Sequence, residues 1–160
     1  MTEADFPLLS LIITIPLLGA LLAGSIRNVD VAKQIAFFTA LITFVLTACA
    51  TLLFDADKSG FQLVERYDWI PLLKIEYLVG VDGISVLFLP MTGLLTIITM
   101  LASWSAISHS SRFHFSLLLA LESVSIGVFC ALDTVLFFLF WELTLPPFFF
   151  LIGLWGIGSQ

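Results

Sequence analysis

Five apolar stretches, separated by short polar segments, limit what this 160-residue chain can fold into more than any other feature. Crossing about 30 Å of hydrocarbon takes about 20 residues of α-helix. The stretches cover residues 8–26, 34–54, 83–104, 115–132 and 134–155. The first ends at Arg27 and the second at the acidic Asp55-Ala56-Asp57. Barrel strands would alternate apolar and polar residues over about 10 positions. The run Phe37-Phe38-Thr39-Ala40-Leu41-Ile42 does not alternate. The sequence therefore predicts an all-α integral membrane protein, a single domain over 1–160 with five transmembrane helices and an extramembrane loop at 55–82. Composition agrees, because 11% of the residues are charged against about 25% in soluble domains. Too little polar surface exists to face water, so lipid must be the solvent.

Charge narrows the partners. The net charge is −6, and Asp55, Asp57, Glu65, Asp68, Glu76 and Asp82 all fall in the one loop. No basic patch exists to bind a phosphate backbone, which excludes nucleic acid as a partner class. The first residues carry Glu3 and Asp5 and no base, unlike a cleavable leader, so the first helix is expected to remain. Arg27, Lys33 and Arg112 lie in two short loops, and Lys58, Arg66 and Lys74 in the longer one. The density of bases near helix ends places the short loops in the cytoplasm, the N-terminus outside and the C-terminus inside. Tyr67, Trp69 and Tyr77 suit an interfacial aromatic belt, so the long loop is expected to lie along the membrane surface.

The chemistry available inside the spans is sparse. An ionisable residue in a transmembrane helix is a functional candidate by default, since placing it there costs about 2.5–3.5 kcal/mol on insertion scales. Glu122 lies about 10 Å into the fourth span and Glu142 about 12 Å into the fifth, counted from opposite faces. A carboxyl group that takes up and returns a proton is what a proton relay requires. A neutral glutamic acid bonded to a neighbouring helix is the structural alternative. Pro146 lacks the N–H that would bond the Glu142 carbonyl, and Pro147 likewise frees Leu143. A kink and a hydrated pocket beside Glu142 are expected. Asp133, between the last two spans, fits an N-cap. Cys49 and Cys130 fit small buried apolar side chains. His109 and His114 flank Arg112 and fit solvated loop histidines. No metal-ligand cluster, phosphate-cradling loop or nucleophile constellation is present in the sequence, so no cofactor is identifiable.

Several motifs then resemble one family. Phe140-Trp141-Glu142-Leu143-Thr144-Leu145-Pro146-Pro147, with Gly153-Leu154-Trp155-Gly156, is similar to the fifth helix of the antiporter-like M subunit of bacterial NADH:quinone oxidoreductase, respiratory complex I. Leu78-Val79-Gly80-Val81-Asp82-Gly83-Ile84-Ser85 resembles its entry to the third helix, and Leu119-Ala120-Leu121-Glu122 with Ile126-Gly127-Val128-Phe129 its fourth. The resemblance covers 55–156, and the first two helices match in character alone. It implies a bacterial inner or intracytoplasmic membrane and other membrane subunits as partners. It also implies that Glu142 belongs to proton-translocation machinery whose coupling lysine sits on a later helix. Since the match ends after the fifth helix, and 157–160 depart from the family pattern, no activity is expected of the isolated chain. The leading expectation is a non-catalytic accessory subunit of a larger energy-converting complex, meeting lipid directly and quinone or pigment only through that complex. The alternative is the N-terminal fragment of a split proton-translocating subunit.

Overall fold

The computed structural model describes residues 6–73 and 75–156. The readings made at Glu3, Asp5, Lys74 and 157–160 fall outside them. The elements run α1 (Leu8–Ser25), α2 (Val29–Leu53), β1 (Gln62–Ile70), β2 (Ile75–Val81), α3 (Ser85–Ser103), α4 (Ser111–Cys130), α5 (Thr134–Leu143) and α6 (Leu145–Trp155). Helices α5 and α6 follow each other across one residue and together form one span, Thr134–Trp155. Among the described residues, five helices are long and apolar enough to cross a membrane. The chain is an all-α, multi-pass membrane protein.

Two helices begin earlier than their apolar runs. The side chain of Asn28 accepts from the N–H groups of Asp30 (3.0 Å) and Val31 (3.2 Å), so α2 starts at Val29 and carries Lys33. Helix α4 starts at Ser111 and carries Arg112 and His114. The apolar runs alone leave both bases in loops. Instead they sit in the opening turns and serve other helices. The Lys33 ammonium donates to the Trp104 carbonyl (2.7 Å) at the end of α3, and the Arg112 guanidinium to the Ile26 carbonyl (3.0 Å) at the end of α1. Cations suit helix C-termini, where unpaired carbonyls concentrate negative potential.

Helix α4 is the central post and packs against every other membrane helix. Without a hydrophobic drive between helices in lipid, small residues and interhelical hydrogen bonds set the packing. Ser116 and Ser123 of α4 each donate to an α1 carbonyl at 2.6 Å, Ala20 and Ile13 respectively. The crossing of α4 with α5 needs Gly127, where a Cβ would come within 2.5 Å of the Phe140 ring. The crossing of α2 with α3 needs Gly93, where a Cβ would meet the Phe44 backbone at 3.2 Å. The buried interior divides into two groups. Leu9, Ile12, Val79, Leu89 and Ile126 fill the half near the strands, and Ala20, Ala36, Ala40, Met100 and Phe115 fill the other.

The 55–82 segment is more structured than its sequence announced. β1 and β2 pair antiparallel, with Tyr67 opposite Tyr77 and Asp68 opposite Glu76, and Arg66 bridges to Glu76 at 3.0 Å. The hairpin is docked at its base and free at its tip. Val79 bridges to Ala131, and the Leu132 N–H donates to the Leu78 carbonyl at 2.9 Å, which ties β2 to the α4–α5 turn. Glu65, almost fully buried, reaches α1. Its carboxylate accepts from Leu9 N–H (2.7 Å), Ser10 N–H (3.2 Å) and the Ser10 hydroxyl, which also meets the Tyr77 hydroxyl at 2.9 Å. Helix α1 begins after Pro7, which offers no side-chain cap. A residue 56 positions away supplies it.

Candidate functional site

Sequence placed two acids in the membrane, and the structure gives them opposite surroundings at one depth. Glu122 lies eight residues before the end of α4 and Glu142 eight residues after the start of α5. Both ends meet at the Asp133 turn, so each carboxyl-bearing residue sits about 12 Å from it. Asp133 fixes that turn by accepting from Val135 and Leu136 N–H, both at 2.9 Å.

Glu122 is 1% exposed, and neither carboxyl oxygen has a hydrogen-bond partner among the described residues. It lines a cavity of about 620 Å³ bounded by α3, α4 and the α5–α6 span. Trp141, Thr144, Leu145 and Phe148 form the α5–α6 wall, spaced three and four residues apart as one helix face requires. Glu142 stands one residue off that stripe and is exposed on the outside of the bundle. The pocket expected beside Glu142 therefore forms around Glu122 instead. The helix break lies next to both. Thr144 separates α5 from α6, and Pro146 and Pro147 occupy the opening turn of α6. They can supply no N–H to the carbonyls four residues back. The Thr144 hydroxyl and N–H both turn back to the Trp141 carbonyl, at 2.7 and 3.1 Å.

The histidines divide. His109 is exposed as expected, with its ring stacked 5.8 Å from Trp155. His114 is not a solvated loop residue. It is buried in α4 with both ring nitrogens unpartnered among the described residues, edge-on to Trp155 at 4.8 Å. The early start of α4 is the reason: it turns His114 inward, toward the core that holds Phe115. Cys130 is buried as expected, while Cys49, expected to be buried, is exposed on α2.

Sequence reasoning missed the trans-cap Glu65 and the box at Asp82. The Asp82 carboxylate accepts from Ser85 N–H (2.6 Å) and Ile84 N–H (3.1 Å), and the Ser85 hydroxyl accepts from Asp82 N–H (2.9 Å). The Ser85 N–H above all holds the Asp82 carboxyl below its ordinary range. The Gly80-to-Ser85 motif is thus the start signal of α3. An acid three residues before serine at the head of an apolar run was the available clue.

No family model matches the chain. It is 37% identical over 154 residues to F420H2 dehydrogenase subunit M of Methanosarcina mazei, covering 96% of this chain and 31% of that protein. It is 40% identical over 152 residues to NAD(P)H-quinone oxidoreductase chain 4 of Gloeobacter violaceus, covering 94% and 28%. Its fold matches a chain in the structure of the membrane-bound sulfane sulfur reductase, an archaeal respiratory membrane complex. That match has a TM-score of 0.74 at 22% identity, covering 92% of this chain and 23% of the other. The chain spans about a third of the length of its curated relatives. With the hairpin-braced bundle and the break at Thr144 in view, the chain is similar over almost its whole length to about a third of an antiporter-like M (chain 4) subunit of respiratory complex I.

Proposed function

We propose that the chain forms the first five spans of a proton-translocating membrane unit, with Glu142 and Glu122 as its protonatable groups and the rest of the path supplied by helices outside it. The observation that carries this is the placement of Glu142. A carboxyl group about 12 Å deep in the span, exposed on a helix that is 11% buried by its own chain, is costly to leave against lipid. Further helices covering that face would give the acid its partner. The relatives support the same reading. One is named for F420H2 and another for NAD(P)H as donor, so the part they share does not select the donor. Ion movement through the membrane is a task that such a shared part can serve.

Replacing Glu142 by Gln in the assembled complex, reconstituted in liposomes, should cut donor-driven proton uptake at least tenfold while electron transfer to quinone falls less. Unchanged proton uptake would overturn the proposal. It would favour a second reading, an accessory subunit that uses its bare α5–α6 face purely for docking, which the low burial of that span also supports. Under that reading bulky substitutions on the α5–α6 face abolish co-purification while Glu142→Gln is silent.

A further inference from the structure

We infer that α6 is a hinged flap, with Thr144 as its pivot and Trp155 as its catch, whose swing sets the width of the cavity between α3, α4 and the α5–α6 span. The two halves of this span are held very differently. Helix α5 is fixed on two sides. Its Phe140 ring is seated against Gly127 of α4, and the helix also packs against β2, beside the Leu132 N–H that bonds the Leu78 carbonyl. Helix α6 leans chiefly on α4, and Pro147 at its start is its one buried residue. Phe149 and Ile152 are exposed. Between the halves the backbone ladder is interrupted at Thr144, since Pro146 and Pro147 can give no N–H to the carbonyls of Glu142 and Leu143. Helices bend at prolines by more than about 20°.

One side chain dominates the hold on the far end. Among the described residues, the hydrogen bonds that α6 makes beyond its own span both go to His109, in the loop between α3 and α4. The Trp155 indole N–H donates to the His109 carbonyl (3.2 Å), and His109 Nε2 donates to the Leu154 carbonyl (3.3 Å). The Trp155 ring stacks on His109 and stands edge-on to His114, and Phe150 meets Phe113 edge-on at 5.4 Å. All these partners lie within 109–114, so one short segment catches α6. Both hydrogen bonds are exposed, where water can replace either partner, and that makes the catch releasable. Between pivot and catch, Leu145 and Phe148 line the cavity opposite Thr96 and Leu118 across about 620 Å³. Close packing is what resists movement in a protein interior, and this side of α6 lacks it. A swing of about 20° at Thr144 moves the far end of α6, about 16 Å away, by about 5–6 Å. Glu142 lies on the α5 side of the pivot and takes no part, so the flap and the proton path fail separately.

Pulsed electron–electron double resonance tests the flap in the full chain in lipid nanodiscs, in a Cys49→Ser, Cys130→Ser background. Spin labels at Leu101→Cys on α3 and Ile152→Cys on α6 read the flap. A second pair, Leu101→Cys with Phe38→Cys on α2, reads the rest of the bundle, and all three sites are exposed. With the catch intact, one narrow α3–α6 distance is expected. Trp155→Leu keeps the span apolar and removes the indole. It should at least double the width of the α3–α6 distribution and leave the α2–α3 pair unchanged. Adding Pro146→Ala and Pro147→Ala supplies the two missing N–H donors, and the width should return to that of the parent. An unchanged width in Trp155→Leu would overturn the catch, and broadening that survives the proline replacements would overturn the pivot. Equal broadening of the α2–α3 pair would mark a loosened bundle and overturn the flap altogether.

Discussion

Helix α4 and the α5–α6 span have similar length and apolarity and opposite fates. Helix α4 is only slightly the more polar, yet most of it is buried within the chain, whereas little of α5–α6 is. In water the more polar helix would lie outside. In lipid the order reverses, because the solvent is apolar and hydroxyl or carboxyl groups are better satisfied between helices. Ser111, His114, Ser116, Glu122 and Ser123 made α4 the post around which the other helices stand. The α5–α6 span, dominated by Phe, Leu, Trp and Pro, leans on that post along one stripe and shows the rest of itself outward. Its single acid, Glu142, lies on the outward part.

The largest test of this contrast uses the two helices' own glycines. Gly127→Leu drives a side chain into the Phe140 ring and should cost about 3 kcal/mol as overpacking, seen as loss of monodisperse protein in size-exclusion chromatography. At Gly153 of α6 a Cβ would find open space, with nothing within 4 Å, and Gly153→Leu should be silent in the same assay. Next comes Glu65→Ala. It strips two α1 N–H groups and a hydroxyl of their acceptor and should cost about 2–3 kcal/mol, with faster amide exchange at Leu9 and Ser10 as the signature. Third, Glu122→Leu should raise the stability of the isolated chain by about 1–2 kcal/mol, since it removes a buried polar group without a partner. Glu142→Leu should change it little, and a thermal melt in nanodiscs compares them.

The smallest effect falls at Asp82. Asp82→Ala removes the cap of α3 and should cost about 1 kcal/mol. Its pH dependence follows from the Ser85 N–H. The folded carboxyl holds its proton less readily than the unfolded one, so the cap's stabilisation is complete above about pH 4 and is lost as pH falls through the lower folded value. In the Asp82→Ala chain that part of the acid sensitivity should vanish.

The membrane helices were legible because lipid imposes a length and a composition on each crossing, and runs such as Phe37–Ile42 carry that signal locally. The Asp133 cap was legible for the same reason, since a cap acts within three residues. The hairpin was not. Its strands are stabilised by partners far away in sequence, Glu65 on Leu9 and Leu78 on Leu132, and the Val, Tyr and Trp that favour strands equally suit an interfacial belt. Rotation was also illegible. Hydropathy placed Glu122 and Glu142 within apolar helices but could not say that Glu122 is buried and Glu142 exposed, because that depends on which face α4 turns to α5. His114 was misplaced for a simpler reason: the helix outlasted its apolar run.

The account stands on Glu142 occupying a face that other helices complete. A fluorophore attached at Glu142→Cys, in a Cys49→Ser, Cys130→Ser background, reports this through quenching by bromine-labelled lipid tails. Strong quenching in the isolated chain, lost when the chain is in its native complex, is the predicted result. Quenching that persists unchanged in the complex would contradict it.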